Sequence, residues 1–241
     1  MTQGDRNTKY SYGKASQRHR RNSIFRLCDE RGGWHESNEE MAELMTEYYT
    51  NLFTTSQPPN LDETVGDIPK VVTVAMNNIL IQDFKAEEVE QAIKQMSPSK
   101  APGPDGMPPI FYQKYWNVLG SDVISTVLSC LNFGCLLKSI NHTFLTLIPK
   151  VKNPEKVTDF RPISLCNVIY KLVSKVLANR LKLILPQIVS DSQSAFVLGH
   201  LITDNVLVAF ETLHHMHHNK LGREGAMALK LDISKAYDRM E

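Results

Sequence analysis

Met41, Leu44, Met45, Tyr48 and Leu52 recur at intervals of three and four, which sets them on one face of a helix. Ser37 and Glu40 precede that face at the spacing of a capping box, and Glu36, Glu39, Glu40 and Glu43 crowd the first turns, where the helix dipole favours negative charge. The same periodicity predicts helices over 85–96 (Val89, Ile93, Met96), 110–118, 121–133 (Val123, Val127, Leu128, Leu131) and 204–218. A longer one over 164–185 carries Leu165, Ile169, Leu172, Val173, Val176 and Leu177 before Pro186 stops it. Strand character is confined to 23–27, 34–36, 143–148 and 226–233. The first two flank Asp29-Glu30-Arg31-Gly32-Gly33, a turn in which glycine tolerates positive φ, so they read as a hairpin. Residues 54–70 and 97–109 hold proline and glycine between periodic segments and read as loops, and the polar stretch up to Asn22 reads as a poorly ordered arm. No internal repeat is present. The pattern predicts a helix-rich α+β fold.

With 241 residues, 42% of them hydrophobic, the chain has material for one large core or two small ones. No run approaches the roughly 20 apolar residues of a membrane span, and no basic-then-apolar leader opens the chain, so a membrane protein is not expected. The four cysteines (Cys28, Cys130, Cys135, Cys166) lack zinc-site spacing and read as reduced, buried intracellular thiols. The net charge of +1 hides an asymmetry: residues 1–26 carry seven Lys/Arg against one acid, 27–93 carry three against fourteen, and 94–241 carry seventeen against eleven. A basic arm with Arg18, Arg20 and Arg21 suits phosphate neutralisation with counterion release; it suits a solubilising tail equally.

Three segments bear chemistry. Ser97-Pro98-Ser99-Lys100-Ala101-Pro102-Gly103-Pro104-Asp105-Gly106 is first a helix-to-helix connector, although a rigid Pro/Gly loop with one lysine also suits a phosphate; the Walker spacing is absent. Lys150 and Arg161 flank a turn-rich stretch between a strand and a helix, either as exposed cations or as a clamp for a triphosphate or base, which the planar guanidinium fits. Leu229, Leu231 and Ile233 alternate with Lys230, Asp232 and Ser234, so Asp232 ends an apolar strand, where a carboxylate either holds a metal or meets solvent. His214 and His218 share a helix face as a two-ligand chelate or as favourable cations near a helix C-terminus.

Taken in order, these segments resemble the reverse transcriptase of LINE-type, non-LTR retrotransposons, most like those of plant genomes. Gly4-Asp5-Arg6-Asn7-Thr8-Lys9 and the Arg-rich stretch to Asn22 resemble the linker before the polymerase. Lys100-Ala101-Pro102-Gly103-Pro104-Asp105-Gly106 resembles the loop ahead of the fingers, and Phe160-Arg161-Pro162-Ile163-Ser164-Leu165 the first fingers block. Gln193-Ser194-Ala195-Phe196 through Thr203-Asp204-Asn205 resembles the second fingers block, and Leu231-Asp232-Ile233-Ser234-Lys235-Ala236-Tyr237-Asp238 the first palm motif. The resemblance covers nearly the whole chain. It implies the fingers and start of the palm of a right-hand polymerase, incomplete, with a basic arm over 1–26, a hairpin, helix and linker over 27–70, and fingers with the first palm strand over 71–241.

The resemblance further implies Asp232 as catalytic carboxylate and Mg²⁺ ligand, assisted by the Ile233 carbonyl, and Tyr237 as the steric gate under the incoming sugar. Arg161 and Lys150 would face the dNTP, and Lys100, Arg18, Arg20 and Arg21 the RNA template and RNA/DNA hybrid. The location implied is intracellular, nucleus or cytoplasm. Two departures stand out. Tyr10-Ser11-Tyr12-Gly13 occupy positions where the family has aromatic and His residues. No Asp-Asp pair occurs in these 241 residues, whereas the family completes its two-metal cage with a Tyr-x-Asp-Asp motif. The expectation is therefore a reverse transcriptase fragment that does not polymerise by itself, with a non-catalytic RNA-binding remnant as the alternative.

Overall fold

The computed structural model describes residues 9–55, 57, 66, 69–190, 193, 199, 201–218, 227–229 and 231. The chain divides into two units, the described residues within 1–57 and 143–165 forming one and those within 58–142 and 166–234 the other.

In the first unit, strands β1 (Leu27–Cys28) and β2 (Trp34–His35) pair antiparallel with Leu27 opposite His35. Their turn closes because Asp29 accepts hydrogen bonds from the amides of Arg31 (2.8 Å) and Gly33 (2.7 Å), while Gly32 takes φ 88°. Helix α1 (Lys9–Asn22) precedes the hairpin and helix α2 (Asn38–Phe53) follows it. The Ser37 hydroxyl accepts the Glu40 amide at 3.2 Å, so the cap forms where the spacing puts it. The Glu40 carboxylate faces His35 Nδ1 at 3.7 Å. Strands β3 (Thr143–Pro149) and β4 (Phe160–Cys166) make a second two-stranded sheet, joined through a short 3-10 turn, Val157–Asp159. Leu27, Met41, Tyr49, Val157 and Phe160 form the core of this unit, with Leu44, Met45 and Leu147 packed around them.

The second unit is helical. Helices α3 (Val74–Ile81), α4 (Ala86–Gln95), α5 (Pro109–Lys114), α6 (Trp116–Phe133), α7 (Lys138–Asn141), α8 (Val168–Leu181), α9 (Leu185–Ile188) and α10 (Ile202–His218) run in that order. Val89, Ala92, Ile93, Val123, Val127, Val168, Leu172 and Val176 meet where α4, α6 and α8 pack. Arg180 fastens this core from its edge. Its guanidinium bonds Glu88 twice (2.8 and 2.9 Å), donates to the carbonyls of Leu80, Gln82 and Asp83, and lies 3.5 Å over the Phe84 ring. One side chain thereby satisfies carbonyls at the end of α3 and a carboxylate at the start of α4.

Four expectations change. Residues 9–22 form α1 instead of a disordered arm: Lys, Arg, Gln and Ala are good helix formers, and Ser23 donates both its amide and its hydroxyl back to the His19 carbonyl. Residues 164–166 belong to β4 instead of the helix, because the strand extends against β3 and α8 starts only after Asn167, its N-cap. Pro162 is tolerated because a strand of a two-stranded sheet has an unpaired edge. Residues 227–229 and 231 are not in a strand; Met227, Leu229 and Leu231 are largely exposed, and among the described residues no strand pairs with them, while 226, 230, 232 and 233 lie outside the described residues. Cys135 is exposed instead of buried, while Cys130 is buried as expected, and all four cysteines are free.

Candidate nucleic-acid interface

The first unit presents cations on α1 and at the ends of β3 and β4. Helix α1 holds Lys9, Lys14, Arg18, Arg20 and Arg21 with no acid in its 14 residues; Arg18 and Arg20 are exposed, and the Arg21 side chain lies outside the described residues. Tyr10 and Tyr12 are exposed on the same helix, Tyr10 under the Lys14 ammonium at 5.7 Å.

Arg161 is the second residue of β4. Phe160 before it is 1% exposed, locked among Leu27, Met41 and Tyr49, so the alternation of the strand turns Arg161 outward into solvent. The sequence set Arg161 between a strand and a helix; it lies within β4, and α8 begins seven residues later. Lys150 directly follows β3, and its amide donates to the Asp159 carbonyl (2.7 Å), which places it beside the start of β4. Its ammonium donates to the Thr158 carbonyl at 2.8 Å. The connecting loop is built around Asp159, whose carboxylate accepts the Lys156 and Glu155 amides (both 3.0 Å). These bonds, with Lys150 and Lys156 nearby, hold the Asp159 carboxyl below its ordinary pKa despite some burial.

The second unit carries the Lys100 loop. Gly103 lies so close to the Asn167 amide and the Cys166 carbonyl carbon that a Cβ there would overlap them. Asn167 accepts the Asp105 amide (3.2 Å) and donates to the Ser139 carbonyl (3.1 Å), and the Lys171 ammonium donates to the Ala101 carbonyl (2.8 Å). The Pro/Gly loop is thereby fixed on the N-terminal turn of α8, with Lys100 exposed. Asn167 and Lys171, which do this fixing, escaped the sequence reading. Asn167 fell inside the helix predicted over 164–185, so no local signal marked it; its role shows only once the helix is seen to start at Val168.

Asp232, Ile233 and Tyr237 lie outside the described residues, as does most of the block from Gln193 to Phe196. Thr203, Asp204 and Asn205 stand in the first turn of α10, where the Asp204 carboxylate accepts the Leu201 amide at 2.8 Å. Further along α10 the His214 and His218 rings lie 4.0 Å apart, with His218 Nδ1 3.0 Å from the His214 carbonyl. Among the described residues no group of three or more His, Cys, Asp or Glu is arranged to hold a metal ion, and no helix is long and apolar enough to cross a membrane.

Comparison with known proteins bears on the same segments. Residues 148–241 match the family model of reverse transcriptase (RNA-dependent DNA polymerase). The chain is 30% identical over 98% of its length to the Transposon TX1 uncharacterized 149 kDa protein of Xenopus laevis, covering 18% of that protein. It is 28% identical over 86% of its length to the retrovirus-related Pol polyprotein from type-2 retrotransposable element R2DM of Drosophila melanogaster, again 18% of it. A probable RNA-directed DNA polymerase from transposon BS of the same fly is 24% identical over 85% of the chain, which covers 22% of it. The chain thus spans about a fifth of the length of the curated relatives it matches.

Proposed function

We propose that this chain, a member of the reverse transcriptases of non-LTR retrotransposons, supplies the surface that holds template RNA and an incoming deoxynucleotide for RNA-directed DNA synthesis. The observation that carries this reading is the family match over 148–241, which begins inside β3 and takes in Lys150, Arg161 and Asp232.

In this reading Arg161, turned outward by the anchoring of Phe160, grips the triphosphate with its planar fork or stacks on the base. Lys150 adds a second positive charge beside it once its ammonium leaves the Thr158 carbonyl. Tyr237 packs under the sugar and excludes a ribose 2′-OH. Arg18, Arg20, Arg21 and Lys100 follow the template backbone. The organisation proposed is an arm over 1–26, a hairpin, helix and linker over 27–70, and fingers with the first palm strand over 71–241.

Reverse transcriptases use a divalent ion, here Mg²⁺, which stabilises the attacking and leaving oxygens of phosphoryl transfer. Asp232 and the Ile233 carbonyl are its proposed ligands. The described residues do not provide the remaining carboxylates, and the 241 residues hold no Asp-Asp pair to complete the cage. The expected behaviour of the 241-residue polypeptide is RNA binding without primer extension.

Binding to an RNA–primer duplex, followed against salt, tests the reading together with extension assays in Mg²⁺. Replacing Arg18, Arg20 and Arg21 by Ala should lower the salt slope; an unchanged slope removes the arm as a phosphate contact. Primer extension abolished by Asp232→Asn would overturn the expected inactivity. The acid-free charge of α1 also favours a second reading, a non-catalytic RNA-binding protein. The two separate on nucleotide dependence: only the polymerase reading predicts that a template-matched dNTP tightens the complex and that Arg161→Ala removes the effect.

A further inference from the structure

We infer that Lys175 and Lys182 extend the Lys100 contact into a phosphate-binding track along α8, whose ligand is the sugar–phosphate backbone of single-stranded RNA. The inference rests on the reading of Lys100 as a template contact and names residues which that reading does not include.

Lys171, Lys175 and Lys182 occur at i, i+4 and i+11, so they share one face over about three turns, Lys182 being the C-cap of α8 with helical backbone angles. That face is opposite in character to the one carrying Leu172 and Val176, which is buried in the core. Lys171 is committed to the Ala101 carbonyl, and this bond brings the Lys100 loop against the same face. Lys100 and Lys182 are exposed, and Lys175 between them is half-buried. Burial lowers the Lys175 pKa, and the charges of Lys182 and Lys100 lower it further, with no carboxylate acting against them. Among the described residues the ion pairs of this unit are Lys94 with Glu90 and Arg180 with Glu88, so none of these three lysines is neutralised.

Like charges gathered on one face, unbalanced by acids, cost free energy unless a polyanion crosses them. Three cations spread from a loop along a helix suit successive phosphates better than a single one. A nucleic-acid backbone meets that requirement, and its binding would release counterions in proportion to the lysines engaged.

The test is binding of an unstructured oligouridylate by the whole chain across a salt series. Lys182→Gln should lower the slope of log K against log salt by about 0.7, and Lys175→Gln with Lys182→Gln by about 1.4. Arginine at both positions should restore the slope. Because Lys175 is half-buried, Lys182→Gln at its exposed position decides the matter if the double variant fails to fold. A slope that responds to Ala at Arg18, Arg20 and Arg21 but not to Lys182→Gln overturns this inference alone. Failure of the unaltered chain to bind RNA overturns the reading beneath it as well. Binding to phosphatidylserine vesicles that depends on Lys182, with RNA binding indifferent to it, overturns RNA as the ligand.

Discussion

Helices α8 and α10 both belong to the second unit, and both set apolar residues at intervals of three and four. In α8, Val168, Leu172 and Val176 are buried to 1% exposure or less; in α10, Val206, Leu207, Phe210 and Leu213 are each more than half exposed. The spacing is a property of each segment alone. Burial needs a surface to face, and α4 and α6 provide one for α8. Amphipathic periodicity therefore identifies a helix and the stripe it would bury, and leaves open whether anything covers that stripe.

The largest effect in this comparison is expected at Arg180. Ala there strands Glu88 and the carbonyls of Leu80, Gln82 and Asp83, at a cost of about 4 kcal/mol, read as a drop in urea midpoint. A loss under about 1 kcal/mol would mean that water replaces the guanidinium at those groups. Leu172→Ala should cost about 3 kcal/mol through the cavity it opens between α4, α6 and α8.

Acid should act through the same corner. Burial raises the Glu88 pKa, yet the hydrogen bonds from Arg180 and the Lys85 amide outweigh it and hold the carboxyl below its ordinary value of 4.5. A depressed carboxyl contributes stability that is complete above its unfolded pKa and disappears as pH falls through the native one. Urea midpoints measured downward from neutrality should therefore decline below about pH 4.5, less steeply in Arg180→Ala. An identical decline in both chains would assign the acid sensitivity elsewhere, for instance to Asp29. Bonds from His35 and the Gly33 and Arg31 amides lower that carboxyl as well.

The smallest effect is expected at Leu207 on α10, where Ala should change stability by no more than about 0.5 kcal/mol. A loss approaching that of Leu172→Ala would show that the exposed stripe is covered in solution, and the contrast between the two helices would close.

Elements whose signals are local were legible. The Ser37 cap, the Asp29–Gly33 turn and the apolar faces of α2, α4 and α6 follow from residues within a few positions of one another. Other elements were not, among them α1, α3 and β4. Helix α1 is polar nearly throughout and gives no apolar stripe to detect. Helix α3 combines Val, Ile and Leu with two asparagines in eight residues, none of them buried, so its periodicity is weak. Strand β4 borders a helical pattern, and its conformation depends on pairing with β3. Within the candidate site, Lys100, Lys150 and Arg161 stood out by residue type. Asn167 and Lys171, which hold the Lys100 loop in place, are ordinary at the level of sequence and gain their role from a loop more than sixty positions away.

By itself the sequence determined the helix-rich α+β class, the concentration of positive charge before the hairpin, and an order of motifs that resembles that of the reverse transcriptases. Those are properties of composition, spacing and order, and they survive without contacts. Only the tertiary structure decided that Arg161 faces solvent, that Arg180 is spent inside the core, and that Lys175 shares a face with Lys182 beside the Lys100 loop. A cation is drawn inward or left to solvent by the partners the fold brings to it, and in this chain those partners are distant in sequence.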